Sequence, residues 1–318
     1  MLALLLCLQA ADEFRVDGPP FLPFGESAEF AAFAIPEGAT LTWRLADAPG
    51  GIASAVRTSP AFSEQDFCIR GARTIRVTSL GTTEGDLRVS VALERRGARI
   101  GARNLTVRIG PVLRLEGRFR TVEHPRGGAR GAAEAWTELV PEVNRIWKAC
   151  GIEFAFSAGE AVKGRDSWFD GRGRFHPVIF RRGVRERSPA VNELLALHGP
   201  GRIDVFLVRE CFMVRESRGL GDPVVEYNLA GWGIQEEGAA VDEDALAVDL
   251  AHELGHVLGL DDLGLNAWTP QDMIPAERRR LMCHIRKFRE APGFAVDEMK
   301  ETREVARRIL KVRSSNRK

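Results

Sequence analysis

The character of this chain changes at Gly110-Pro111. Ahead of that pair no window carries a persuasive helical period. Short runs with β-branched and apolar alternation recur instead, at 39–45, 74–79, 87–93 and 105–109. Turn-forming clusters separate them, such as Ala48-Pro49-Gly50-Gly51 and Gly81-Thr82-Thr83-Glu84-Gly85-Asp86. About seven short strands in roughly a hundred residues, with Trp43 in an early one, predict an all-β immunoglobulin-like sandwich over 12–110. Gly-Pro cannot easily continue a strand ladder, and after it strand-like and helix-like segments alternate, the signature of a mixed domain over 111–318. With 318 residues, the chain is long enough for two domains, each with its own core.

In the second part, 112–122 reads as a strand, 123–131 as a polar, glycine-rich loop and 132–149 as a helix. A strand at 152–156 precedes a long irregular stretch rich in Arg, Gly and Asp. Ser188-Pro189 opens a short helix through Leu197, with proline at the first helical position. The apolar run 203–208 is a strand of the kind buried on both faces. Two short strands, 229–234 and 239–241, precede a helix rich in apolar residues, and a last helix covers 296–310. The basic tail after Leu310 reads as a solvated end.

The helix after the strand 239–241 carries Ala251-His252-Glu253-Leu254-Gly255-His256-Val257-Leu258-Gly259-Leu260-Asp261-Asp262. Two imidazoles four residues apart project from one helix face, near enough to share one metal ion. Glu253 follows the first histidine and can take the proton of an activated water. Gly259 can end the helix and turn the chain back towards the metal. The residues therefore point to a zinc hydrolase site in which His252 and His256 are ligands and Glu253 is the general base. The third ligand is open at this point. Asp262 is favoured because the glycine is placed to make the return turn. Asp261 would serve if that turn is offset by one residue, and Glu277 if a downstream glutamate supplies the ligand.

The pattern H-E-x-x-H-x-x-G-x-x-D resembles that of the metzincin zinc metalloproteases, whose members usually carry histidine where Asp262 stands. Leu281-Met282-Cys283, with its methionine twenty residues after Asp262, is similar to the methionine turn that lies beneath the metal in that family. Val143-Asn144-Arg145-Ile146-Trp147 and Gly151-Ile152-Glu153-Phe154 look like the first helix and following strand of bacterial members. The resemblance covers roughly 112–312 and leaves out the first third of the chain. It implies an α+β catalytic domain with a mixed five-stranded sheet and three main helices, one Zn2+, Met282 beneath the metal and peptide-bond hydrolysis. Several members carry a tyrosine at the offset of His284. The single tyrosine here is Tyr227, so that device is absent and His284 reads as packing beneath the site.

Gly231-Trp232-Gly233 could form the exposed edge strand to which an extended peptide substrate adds by main-chain pairing, or an ordinary strand with one buried tryptophan. Hydrophobic content of 44%, charged content of 28% and net charge +1 are those of ordinary globular protein, with no electrostatic reason to expect nucleic acid or an anionic membrane as partner. The apolar run 1–11 is too short to span a bilayer, so no stable membrane insertion is expected. It resembles the core of a secretory signal without a basic start, which predicts a secreted or periplasmic protein. Removing it would leave Cys68, Cys150, Cys211 and Cys283, an even number for which three pairings exist. The expected function is a zinc-dependent endopeptidase acting on protein or peptide. Two alternatives stand beside it: a catalytically silent zinc protein binding partners through its sandwich domain, and a zinc amidase or esterase.

Overall fold

The structure is a computed structural model that describes residues 14–47, 56–61, 68–81, 83–125, 128–129, 131, 133–181, 184–215, 225–262, 281–282 and 294–315. The segment 1–11 and residues Glu277, Cys283 and His284 lie outside the described residues. The chain divides into two compact units, Met1–Val112 and Leu113–Lys318.

The first unit is all β. Its strands are β1 (Arg15–Asp17), β2 (Phe21–Pro23), β3 (Ser27–Phe33), β4 (Thr40–Asp47), β5 (Val56–Ser59), β6 (Cys68–Arg70), β7 (Thr74–Ser79), β8 (Gly85–Arg95) and β9 (Ala98–Gly110). They form two sheets, ordered β1-β3-β7-β5 and β2-β9-β8-β4-β6. Pairing is antiparallel except between β2 and β9. Phe30, Ile75 and Val77 from one sheet share a core with Trp43, Val89, Val91 and Val107 from the other, so the unit is a sandwich. Trp43 is fully buried, and its indole N–H donates to the Ala72 carbonyl at 2.7 Å. Arg96 and Gly97, both at positive φ, form the two-residue turn between β8 and β9, whose backbone twist suits the strand twist.

The second unit contains β10 (Leu113–Glu123), α1 (Ala133–Trp136), α2 (Val140–Trp147), β11 (Ile152–Ala158), β12 (Val162–Lys163), β13 (Phe175–Arg181), β14 (Val184–Arg187), α3 (Pro189–Leu195), β15 (Ile203–Val208), β16 (Cys211–Arg215), β17 (Val225–Leu229), β18 (Gly231–Ile234), β19 (Gly238–Asp242), α4 (Ala247–Val257) and α5 (Val296–Ser315). The main sheet runs β11-β10-β15-β19-β18, with β12 on the end of β10. Its strands are parallel except for the edge strand β18, which is antiparallel to β19. The sheet is covered on both sides. Val205 and Leu207 of β15 enter the core formed with Trp147, Leu250 and Leu254, whereas Phe206 and Val208 enter a second core with Trp168, Val191 and Leu194. Alternation along one strand thus divides its side chains between two layers of cover.

Three sequence expectations are corrected here. The helix expected over 132–149 is interrupted by 3-10 turns at Thr137–Leu139 and Lys148–Cys150. Pro141 has no N–H to return to the Thr137 carbonyl, so an unbroken ladder cannot pass through it. The stretch read as irregular after 156 contains β13 and β14, which join β16 and β17 in a second sheet, ordered β14-β13-β16-β17. Pro177 hid it, since a proline argues against a strand interior. It lies where the β13–β16 register shifts, a position that needs no ladder donor. The last helix also extends five residues beyond the expected end at Leu310, to Ser315. Arg303 on α5 is buried and donates through Nη1 to the carbonyls of Cys150 and Gly151, both at 3.0 Å, which fastens α5 to the end of the α2 segment. Among the described residues no helix is long and apolar enough to cross a membrane. Cys68, Cys150 and Cys211 are free buried thiols.

Candidate metal centre

Helix α4 runs from the loop after β19 along the main sheet, packing on β18, β19 and α2. Its start has no side-chain cap at Leu246, but the buried Asp249 carboxylate accepts the Leu246 N–H at 2.9 Å. That bond satisfies one orphan donor and places negative charge at the positive end of the helix. At the other end Gly259 has φ +90. The Leu260 N–H returns to the Gly255 carbonyl at 2.9 Å and the Gly259 N–H to that of His256 at 3.0 Å. These two bonds make a Schellman turn, which requires a left-handed residue where Gly259 stands. The turn sends the chain back along the helix, and Asp262 arrives beside the histidines.

The three donor atoms converge. Asp262 Oδ1 lies 3.2 Å from His252 Nε2 and 3.5 Å from His256 Nε2. One potential ligand atom from each of these residues lies within 4.8 Å of the others, and the group stands alone as a metal-capable cluster among the described residues. Asp261 is exposed. The far nitrogen of each ring is engaged: His252 Nδ1 is 3.0 Å from the Leu281 carbonyl, and His256 Nδ1 is 2.8 Å from that of Leu260. A carbonyl can only accept, so each Nδ1 carries a proton and each neutral ring turns the lone pair of Nε2 towards Asp262. Two lone pairs and a carboxylate oxygen, largely buried, then face one another. Such a trio is stable only with a cation among them, either a proton or a metal ion.

Electrostatics point the same way. Burial opposes charge on His256. The hydrogen bond to Asp262, the charges of Glu253 and Asp262, and the Leu260 carbonyl outweigh it and raise its pKa from 6.5 to about 9. Burial likewise opposes ionisation of Asp262, yet His252 and His256 hold its pKa well below the usual carboxylate range. Without metal, the site therefore keeps a proton that an incoming divalent ion would displace. Two imidazole nitrogens and one carboxylate oxygen form a donor set suited to zinc, and the oriented Nδ1 bonds are those expected around a metal-holding histidine.

Glu253 is buried beside this cluster, 5% exposed, and its Oε2 accepts the Gly233 N–H at 2.8 Å. Met282 is fully buried beneath the helix, where a Cβ on Gly255 would run into its Sδ and stand 3.2 Å from its Cε. The structure thus brings together His252, His256, Asp262, Glu253, Met282, Gly231 and Gly233. Trp232, between the glycines, packs against the core on the opposite face of the sheet. Sequence reasoning missed the carbonyls of Leu260 and Leu281 and the Gly233 N–H, because main-chain donors and acceptors leave no mark in residue identity. The spacing Gly231-x-Gly233 was the available signal, two small residues on one strand face.

No protein-family model matches the sequence, and no curated protein matches it. Among solved structures, the chain is similar to an archaemetzincin from Methanopyrus kandleri, at 15% identity and TM-score 0.36, over 63% of this chain and 96% of that one. It is also similar to an MSP family member from C. elegans, at 9% identity and TM-score 0.20, over 30% of this chain and 96% of that one. A human ASH/PapD-like domain is similar at 14% identity and TM-score 0.22, over 32% of this chain and 87% of that one.

Proposed function

We propose that the second unit is a metzincin-type zinc endopeptidase acting on protein or peptide substrates, and that the first is an immunoglobulin-like sandwich without chemistry of its own. The observation that carries the reading is the convergence of His252 Nε2, His256 Nε2 and Asp262 Oδ1, with both Nδ1 atoms turned to main-chain carbonyls. In this reading those three atoms hold zinc, Met282 supports the helix that carries the histidines, and Glu253 is the general base. Zinc, when bound, supplies Lewis acidity towards a scissile carbonyl and lowers the pKa of a water. The Glu253 carboxylate takes the proton of the attacking water and delivers it to the leaving amine nitrogen. Its burial strengthens that exchange by excluding bulk water. An exported location follows the signal-like segment 1–11 and belongs to the same proposal.

Elemental analysis together with a casein-digestion assay tests it. The expected result is one zinc per chain in wild type and in Glu253→Ala, with cleavage lowered by about 10² or more in the variant, the effect of removing a general base. Wild-type protein that holds no zinc, or a Glu253→Ala variant that digests casein as well as wild type, would overturn the reading.

A further inference from the structure

Gly233 lies on the edge strand of the main sheet and touches the proposed base twice, through its backbone donor and through its missing side chain. We propose that Gly233 is a positioning residue for the reaction, its main-chain N–H holding the Glu253 carboxylate in its working orientation. The inference rests on the peptidase reading of the site.

The pairing of β18 with β19 supplies the first argument. The Asp242 N–H bonds to the Ala230 carbonyl at 2.8 Å, so residues 230 and 242 form a hydrogen-bonded pair of the antiparallel ladder. The register pairs Trp232 with Ala240 and Gly233 with Ala239. Hydrogen-bonded pairs alternate with non-bonded ones, so the amides at 231 and 233 face away from β19, off the free edge. The Gly233 N–H does not reach solvent there but meets Glu253 Oε2 at 2.8 Å. A glutamate side chain turns about several bonds, and a buried carboxylate that accepts one fixed N–H has a set direction for its remaining lone pairs.

Steric fit supplies the second. A Cβ at Gly231 would lie 2.8 Å from both the Ala240 carbonyl oxygen and Glu253 Cγ. One at Gly233 would run into the Glu253 carbonyl oxygen and approach His256 Cβ to 2.9 Å. Both collisions involve atoms of the motif helix or the neighbouring strand that cannot swing aside. Only a strand with glycine at both positions can lie this near α4, and the nearness delivers the amide to the carboxylate. Trp232 anchors the opposite face. This edge, for which substrate pairing was one of two readings from sequence, therefore commits one of its two outward amides to the base, so an extended peptide added there pairs with the Gly231 amide and not with that of Gly233.

The test replaces Gly233 by glycolic acid in the full-length protein, which exchanges the N–H for an ester oxygen and adds no side chain. Cleavage of an internally quenched peptide is then measured beside zinc content. The expected result is unchanged zinc, KM within about twofold and kcat lower by about tenfold or more, as for loss of one hydrogen bond to a charged group. In the Glu253→Ala background the same ester should lower the residual rate no further. Hydrogen exchange gives a readout without metal or substrate: the Gly233 amide of the metal-free protein should be protected in wild type and exchange at least tenfold faster in Glu253→Ala. An ester variant with full kcat, an equal loss in both backgrounds, or Gly233 exchange indifferent to Glu253→Ala would overturn the positioning role. A wild type that cleaves nothing overturns the peptidase reading and this inference with it, whereas a cleaving wild type with an unimpaired ester variant overturns the inference alone.

Discussion

Replacing Gly259 by alanine probes the return turn that delivers Asp262. Gly259 sits at φ +90, and a Cβ there would stand 3.1 Å from Val305 Cγ2 and 3.3 Å from Gln235 Nε2. Those neighbours are ends of side chains and can shift by a few tenths of an ångström, so the backbone conformation dominates the cost. An L-residue in the left-handed region costs about 1–2 kcal/mol. For a folding unit of this size that predicts a melting temperature lower by about 2–8 °C in the metal-free protein. If the strained turn relaxes by swinging Asp262 away, zinc binding must restore it, and affinity falls by a factor of about 5–30. Chelator competition measures the second effect and thermal unfolding the first. Gly259→Asn separates conformation from volume, because asparagine tolerates the left-handed region far better than alanine and should recover most of both losses. Gly259→Ala matching wild type in both assays, or asparagine proving as damaging as alanine, would refute this role of the turn.

Zinc uptake should release about one proton at pH 7.5, because His256 titrates at about 9 in the metal-free protein; calorimetry in buffers of different ionisation enthalpy measures it. Affinity should rise about tenfold per pH unit below that value and level off above it. The sign for stability is opposite: the raised pKa stabilises the metal-free fold fully below the unfolded value of 6.5, and this contribution is lost as pH rises through about 9. Gly255→Ala should destabilise the protein by driving Met282 from its place, and Met282→Ala by leaving a cavity, about 2–5 kcal/mol in the second case. The double variant should fall short of the summed losses by about 1 kcal/mol or more in urea unfolding, since the new methyl occupies part of the vacated space.

Much of this architecture is legible in the residues. The strand Ile203–Val208 could be placed to the residue because five apolar side chains in six positions, interrupted only by Asp204, have few other solutions between polar turns. The motif helix and its end were equally plain, since histidine spacing and a glycine at C′ are local chemistry. The second sheet was not legible. Its strands depend on partners distant in sequence, β13 pairing with β16, and a proline inside β13 gave the opposite signal. The site divides the same way: side chains that donate to a metal announce themselves by type, whereas the carbonyls orienting His252 and His256 come from any residue the fold places there. Leu281 drew notice only as the residue before Met282, and its carbonyl stands 3.0 Å from Nδ1 of the first histidine.

The direction of synthesis meets the site in a particular order. The three proposed ligands and the proposed base are all encoded within 252–262, so they leave the ribosome together. Some of their supports do not. The carbonyl that fixes the His252 ring belongs to Leu281, and the guanidinium that fastens α5 to Arg303. A chain that has just exposed Asp262 already holds the residues of the Gly259 turn and the Leu260 carbonyl that orients His256, but lacks the Leu281 carbonyl that orients His252. The cluster gains these supports only after Leu281 and Arg303 have been made and packed. Under the proposed reading, the order of synthesis thus brings the donor atoms before the carbonyl that orients the first of them.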